Sequence, residues 1–449
     1  MRKAGARWEL LRTLLALSLP AMAEEVLATL LQYVDTAMVG RLGEQATAAV
    51  SITTTITWLI NSISGAVGIA VLSLISRAVG RGDRRTAGKL AQQALLLTLA
   101  CGLVCGGASV LLSPYIPVWM GAEPAIRAEA SRYFFIVSLP MVFRAAGTVL
   151  GAAVRATQNT RTPMLISMAS NFLNAALNCL LIYVCALGVT GAAIASAVSY
   201  TVSGALMLWL FRRTAFLRWE GPPRPDRALL GQCARVGLPV LGTSMVSCLG
   251  YVVFASLVTD MGTTVFAAHS IAVTAETIFY VPGYGLRTAT SALVGAALGE
   301  GDADKLRALC RLSVAMTVGM MALTGILLFL TAEPLMALFT PERPVVRLGG
   351  EMLRLVALSE PFFGLMIVLE GIFYGLGRTR YAFCIETFSM WGVRILTTFL
   401  CVRLWGLGLR AVWYCMIADN VTKALLFALP FARGSWRARL LRTEALKRE

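Results

Sequence analysis

The sequence predicts an all-α integral membrane protein with twelve transmembrane helices arranged as two parallel six-helix repeats. Three observations lead there. Of 449 residues, 57% are hydrophobic and only 14% charged, and the mean hydropathy is +0.72, far above what a soluble core requires. About a dozen apolar stretches reach the roughly 20 residues needed to cross a hydrocarbon layer of about 30 Å as a helix. The chain also matches itself when slid along by 219 positions.

Taken in order, spanning helices are expected over residues 13–38, 48–76, 91–113, 132–153, 163–185 and 190–211. The basic start and the Ala21-Met22-Ala23 step mimic a cleavable signal. The apolar pattern continues past them to Val39, so the segment reads as the first spanning helix. After 211 the stretch RRTAFLRWEGPPRPDRA brings three prolines and alternating charges, marking a linker at 212–232. Six more helices follow over 233–259, 267–297, 310–331, 351–376, 381–402 and 407–430, and a basic tail occupies 431–449. The chain therefore divides as 1–211, linker, 233–430 and tail.

The self-match is specific. Pro20 falls on Pro239, Gly43 on Gly262, AAVSI at 48–52 on AAHSI at 267–271, GRGD at 80–83 on GEGD at 299–302, and Thr160-Arg161 on Thr379-Arg380. One ungapped offset over most of the chain is the signature of an internal duplication. Each copy holds an even number of helices, so both enter the membrane from the same side. Most of the 40 Lys and Arg lie at the N-terminus, in the loops after even-numbered helices and in the tail. The positive-inside rule then places both termini and the linker in the cytoplasm.

Several function classes are excluded by supply. The formal charge of +16 is spread over many short loops beside helix ends, which suits anionic lipid headgroups and topology rather than nucleic acid. The ten cysteines lie in or beside apolar stretches, and His269 is the single histidine, so no zinc, haem or di-iron site can be assembled. No metal site, cofactor or disulfide is expected. Without a phosphate-binding GxxxxGK[ST] loop, a nucleophile elbow or an HExxH pair, ATP-driven and intramembrane catalytic machinery are also missing. A transport function remains.

Charges inside spanning helices then become the informative residues, because each costs several kcal/mol unless it faces a bundle interior or a watery cavity. Asp35, in LLQYVDTAMVG, has Phe254 as its repeat counterpart, so its charge is not a requirement of the scaffold. The fifth helix places Asn171, Asn174 and Asn178 on one face, and the sixth does the same with Ser196, Ser199 and Ser203. Amides and hydroxyls around a buried carboxylate can stabilise either protonation state, which points to a proton or cation site on Asp35. Glu24 lies eleven residues earlier on the same face, about 16 Å along the helix, where it could relay protons or meet a cationic substrate.

In the second half, Glu276, Glu360, Glu370, Glu386 and Asp419 lie in apolar helices with Arg287, Arg394 and Lys423 at comparable depth. Asp419 and Lys423, four apart, are expected to pair with one another. Glu276 and Glu370 have no basic partner at helical spacing and are candidates for a cation-facing cavity. The aromatics Trp58, Tyr251, Phe279, Tyr280, Tyr284, Phe363 and Trp391 could stack on flat apolar cations, with Trp58, Tyr280 and Tyr284 taken as cavity candidates. His269 is expected simply to begin a helix.

The motifs SLPA…VDTAMVGRLG, SRAVGRGD, VPGYG…LVGAALGEGD and LEGIFYGLGRTR together resemble the multidrug and toxic compound extrusion transporters, over essentially the whole chain. The resemblance implies two six-helix lobes facing each other in a V. It also implies antiport of cationic amphiphiles against protons or sodium in the plasma (bacterial inner) membrane. The family's first-lobe cation site would fall on Asp35, Asn174, Asn178 and Ser196. Many relatives carry Asp at the position of Asn178 and Thr at that of Ser196. The sodium-coupled and eukaryotic branches place a Glu in the first helix of the second lobe, where this chain offers no carboxylate before Asp260. The pattern therefore leans toward the DinF-like branch and proton coupling. A lipid-linked saccharide flippase of the same broad fold is the alternative, resting on Arg144, Arg287 and Arg394 for an anionic pyrophosphate. Both lobes lie in one chain, so a monomer suffices, with small organic cations and membrane lipids as partners.

Overall fold

The computed structural model describes residues 2–433, with side chains from residue 7 onward. Most of the basic tail expected at 431–449 lies outside the described residues. Every regular element among them is helical: α1 (Arg2–Gly40), α2 (Glu44–Gly80), α3 (Arg84–Leu112), the single turn α4 (Ile116–Trp119), α5 (Pro124–Ser138), α6 (Met141–Ala156), α7 (Arg161–Asn178) and α8 (Gly188–Arg213) make up the first half. The second half holds α9 (Arg227–Thr259), α10 (Thr263–Glu300), α11 (Ala303–Phe339), α12 (Arg343–Ala357), α13 (Glu360–Gly375), α14 (Thr379–Phe388), the single turn α15 (Leu396–Phe399) and α16 (Leu409–Arg433). Among the described residues, ten helices are long and apolar enough to cross a membrane, or up to twelve when each of two bent pairs is taken as one span.

Those bent pairs are the main departure from the expected spans. Residues 132–153 and 351–376 read as single helices, yet α5 and α6 meet at 50° and α12 and α13 at 56°. Pro140 and Pro361 are the cause. Proline lacks the N–H of a continuing helix and its ring clashes with the carbonyl four residues back, so it sits comfortably only at a helix start. Pro140 accordingly caps α6, and Pro361 lies in the first turn of α13. Two further spans pass through π-helical turns, Cys179–Val184 after α7 and Ser389–Ile395 and Leu400–Leu404 around α15. A hydrophobicity pattern cannot reveal such wider turns, because they add one residue without changing composition.

The duplication is visible in the backbone. Left-handed residues recur at the 219-residue offset as Gly43 and Gly262 (φ 112° and 106°), Gly82 and Gly301 (φ 70° and 76°), and Gln158 and Gly377 (φ 65° and 62°). Asp83 and Asp302 both cap the following helix by accepting backbone N–H groups. By contacts the chain forms two units, one comprising Met1–Met22 with Gly242–Glu449, the other Ala23–Leu241. Both divisions fall inside a helix, two residues beyond Pro20 and Pro239.

Within the Ala23–Leu241 unit the polar stretch after α8 is docked rather than slack. The amide of Gln93, 1% exposed, donates to Arg224 O at 2.9 Å and accepts Asp226 N–H at 3.1 Å. Leu217 is buried, and Asp226 in turn caps α9. A Cβ on Gly88 would lie 2.6 Å from Arg218 O, so α3 and this stretch touch backbone to backbone.

Close helix contact at small residues is the packing mode expected where lipid, and not water, surrounds the bundle. Gly204 of α8 lies against the backbone of Phe143 in α6, leaving no space for a side chain, whereas Gly107 has nothing within 4 Å. We therefore expect Gly204→Ala to lower the unfolding free energy of detergent-purified protein by about 1–3 kcal/mol through overpacking. Gly107→Ala is expected to be neutral or slightly stabilising through helix propensity. Equal melting curves for the two variants would refute this packing account.

Candidate functional site

Asp35 is half-buried near the C-terminal end of α1. Facing it, α7 presents Asn174 and Asn178, which are 8% and 2% exposed. Their four-residue spacing puts both amides on one helix face. Asn178 Nδ2 donates to Asp35 Oδ1 at 2.8 Å and to Asn174 Oδ1 at 3.3 Å. Asn174 Nδ2 donates to Ser196 Oγ of α8 at 3.4 Å. With the Asn174 amide turned over, its nitrogen donates to both Asp35 oxygens at 2.7 and 3.2 Å, and its oxygen accepts Ser196 N–H at 3.2 Å. Amide orientation follows from the bonds made, and the turned form satisfies both ends.

The four residues expected at this site are thus brought together from three helices. Directly after Asn178 the chain enters its π-helical turn, a local widening that often accompanies functional sites. Asn178 Oδ1 is buried without a hydrogen-bond partner, leaving one spare acceptor beside the carboxylate.

The cluster opens on a cavity of about 800 Å³ within the Ala23–Leu241 unit, also lined by Glu24, Trp58, Arg144 and Arg155. Glu24 is not a free second carboxylate, because Arg155 Nη2 pairs with its Oε1 at 2.6 Å, the side chains being 16% and 13% exposed. Arg155 lies just beyond the apolar stretch 132–153, where a loop is expected. It instead forms the last turn of α6 and faces the cavity. Tyr133 and Tyr200 complete the wall and carried no sequence signal beyond being aromatic.

The remaining candidates belong to the other unit. Glu370, with no basic partner at helical spacing, is met from another helix, where Arg287 Nη1 of α10 reaches it at 2.6 Å, and Tyr374 donates to it at 2.6 Å. The two ion-paired residues are 83 positions apart, beyond any helical-spacing rule. Tyr280 stacks edge-on with Tyr284 and Phe363 at 6.0 and 5.2 Å, and the Arg287 guanidinium lies 4.7 Å over Tyr284. Glu276 is 8% exposed and Glu360 1%; they lie within electrostatic reach of one another, and both Glu360 oxygens are buried without hydrogen-bond partners.

Asp419 and Lys423 pair as their spacing predicts, at 3.1 Å. The pair belongs to a larger network, since Arg394 Nε lies 2.9 Å from Asp419 and Lys423 Nζ lies 2.7 Å from Glu386. Ser389 donates to Asp419 Oδ1 at 2.6 Å. His269 is no helix-start residue. It sits in the second turn of α10, buried between Phe254 and Trp413 at 5.7 and 5.8 Å.

An all-helical membrane protein with a half-buried carboxylate held by amides in a polar cavity has the makeup of a transporter. The MatE family model matches twice, at residues 20–180 and 239–400, the two matches beginning 219 residues apart. The chain belongs to this family, the multidrug and toxic compound extrusion transporters, and is a transporter rather than an enzyme. It is 27% identical over 446 residues to the "Probable multidrug resistance protein NorM" of Thermotoga maritima, covering 98% of this chain and 96% of that one. With the human "Multidrug and toxin extrusion protein 1" it shares 25% over 438 residues, 96% of this chain and 76% of the relative. Its fold matches the Vibrio cholerae MATE transporter VcmN in the bent form with a TM-score of 0.88 at 22% identity, covering 98% and 99% of the two chains. A MOP superfamily transporter from Pyrococcus furiosus matches with a TM-score of 0.89 at 22% identity over 97% of each chain.

Asp419 and Asp35 differ in what depends on them. Asp419 is 0% exposed and balances Arg394 and Lys423, so Asp419→Asn strands buried cations and should lower the unfolding free energy by about 3–5 kcal/mol. Asp35 balances no ion pair, and Asp35→Asn should change stability by less than about 1 kcal/mol. Thermal unfolding of both purified variants checks this; a larger loss for Asp35→Asn would reverse the assignment.

Proposed function

We propose that this chain is a secondary active antiporter that exports organic cations in exchange for protons, with Asp35 as the coupling carboxylate. One observation carries the reading: Asp35 faces an 800 Å³ cavity and is met by amides, not by a basic side chain. A carboxylate so placed can hold a cationic substrate when ionised and release it when a proton arrives. Asn174, Asn178 and Ser196 keep it oriented in both forms, and Trp58 offers an aromatic face to a flat substrate. The multidrug-resistance names of the relatives support substrates of this kind. Protons are favoured over sodium because the cluster supplies one carboxylate, where a sodium site gains from more anionic oxygens.

The same reading puts the protein in the plasma (inner) membrane as a monomer. The halves 1–211 and 233–430 are joined by a cytoplasmic 212–232 stretch, and both termini and the tail lie on that side. A lipid-linked saccharide flippase is disfavoured, since two of the three arginines it would need, Arg287 and Arg394, are ion-paired.

The test uses purified protein in liposomes with an imposed pH gradient and no sodium, following accumulation of a fluorescent organic cation. Asp35→Asn is expected to cut gradient-driven transport at least about a hundredfold, the lower end of what losing one general acid–base group costs. Transport that stays coupled in the variant overturns the role of Asp35. Wild-type transport that requires sodium overturns proton coupling, and silence under both gradients moves the assignment to the flippase.

A further inference from the structure

The charge balance of the Asp35 cavity leaves one group unaccounted for. Of the charged side chains that line it, Glu24 and Arg155 neutralise one another and Asp35 is held by amides. Arg144 lies in the first turn of α6, directly after the 50° bend at Pro140. Its guanidinium rests 4.5 Å over the ring of Tyr200, and its Nη1 is buried without a hydrogen-bond acceptor. Asp35, Arg144 and Tyr200 all lie within electrostatic reach of Tyr133, so the negative and positive groups share one region of the cavity.

A buried guanidinium N–H with no acceptor is unusual in a folded protein and asks for one from outside. Stacking on Tyr200 fixes the plane of the fork, leaving its N–H edge to receive an oxyanion in a two-point contact. Building on the antiporter reading, we infer that Arg144 is a specificity residue that binds an acidic group on the transported amphiphile, so that the cavity takes molecules bearing a carboxylate or phosphate together with their amine. The amine meets Asp35 and the acid meets Arg144. A substrate of this kind leaves no charge in the cavity unmatched, whereas a simple monocation leaves Arg144 unanswered.

Rhodamine 6G and its free acid, rhodamine 19, test this directly, because they differ only in an ethyl ester against a carboxylic acid. Binding of each dye to detergent-purified protein is read by fluorescence polarisation, which does not depend on coupling. Wild type should bind the acid more tightly than the ester. Arg144→Gln should raise the Kd of the acid at least tenfold while moving that of the ester less than twofold, and Arg144→Lys should recover part of the acid's affinity. Preference of wild type for the ester overturns the inference without need of a folded variant or a functioning gradient, and equal shifts for both dyes in Arg144→Gln overturn it as well. Competition of the acid by anionic lipid but not by added ester would reassign Arg144 to a lipid headgroup and likewise overturn it. If the acid discriminates as expected but neither dye is driven by a pH gradient, the coupling reading fails and this one stands.

Discussion

At membrane depth every polar group must be answered by the protein itself, because hydrocarbon supplies neither donors nor charge. The two halves of this chain meet that constraint in opposite ways. In the second half, acids and bases cancel: Asp419 with Arg394 and Lys423, Lys423 with Glu386, Glu370 with Arg287. Such networks are locked, since removing one member strands another charge in low dielectric. In the first half, Asp35 is answered by neutral amides. The difference separates a carboxylate whose charge balances buried cations from one held by neutral donors.

Duplication makes this division of labour easy to see. The turns and caps recur at the 219-residue offset. The charges within the spanning helices do not recur. Phe254 stands where Asp35 would be and packs on His269 in the core of its own unit. Tyr200 occupies the position matching Asp419, and it stacks on Arg144 instead of anchoring an ion network. Backbone geometry has been kept for folding, while the polar side chains have diverged for different work.

The cavity also shows that a buried arginine and a buried carboxylate need not pair. Glu24 and Arg155 do so in the cavity that Asp35 and Arg144 also line, while Asp35 is held by an amide and Arg144 rests over a tyrosine ring.

Composition, window hydropathy and self-similarity determined the all-helical membrane fold, the number of spans and the duplication, because those follow from how much apolar surface each segment carries and at what period. The grouping of Asp35 with Asn174, Asn178 and Ser196 was legible in part, since helical spacing places side chains on faces. What the sequence could not decide was which faces meet. Arg287 and Glu370, Arg155 and Glu24, and Glu386 and Lys423 are distant in the chain, and no local rule pairs them. Their pairing rests on how helices bent at Pro140 and Pro361 and widened by π-turns pack against one another, a matter of steric fit between surfaces that only the folded chain creates.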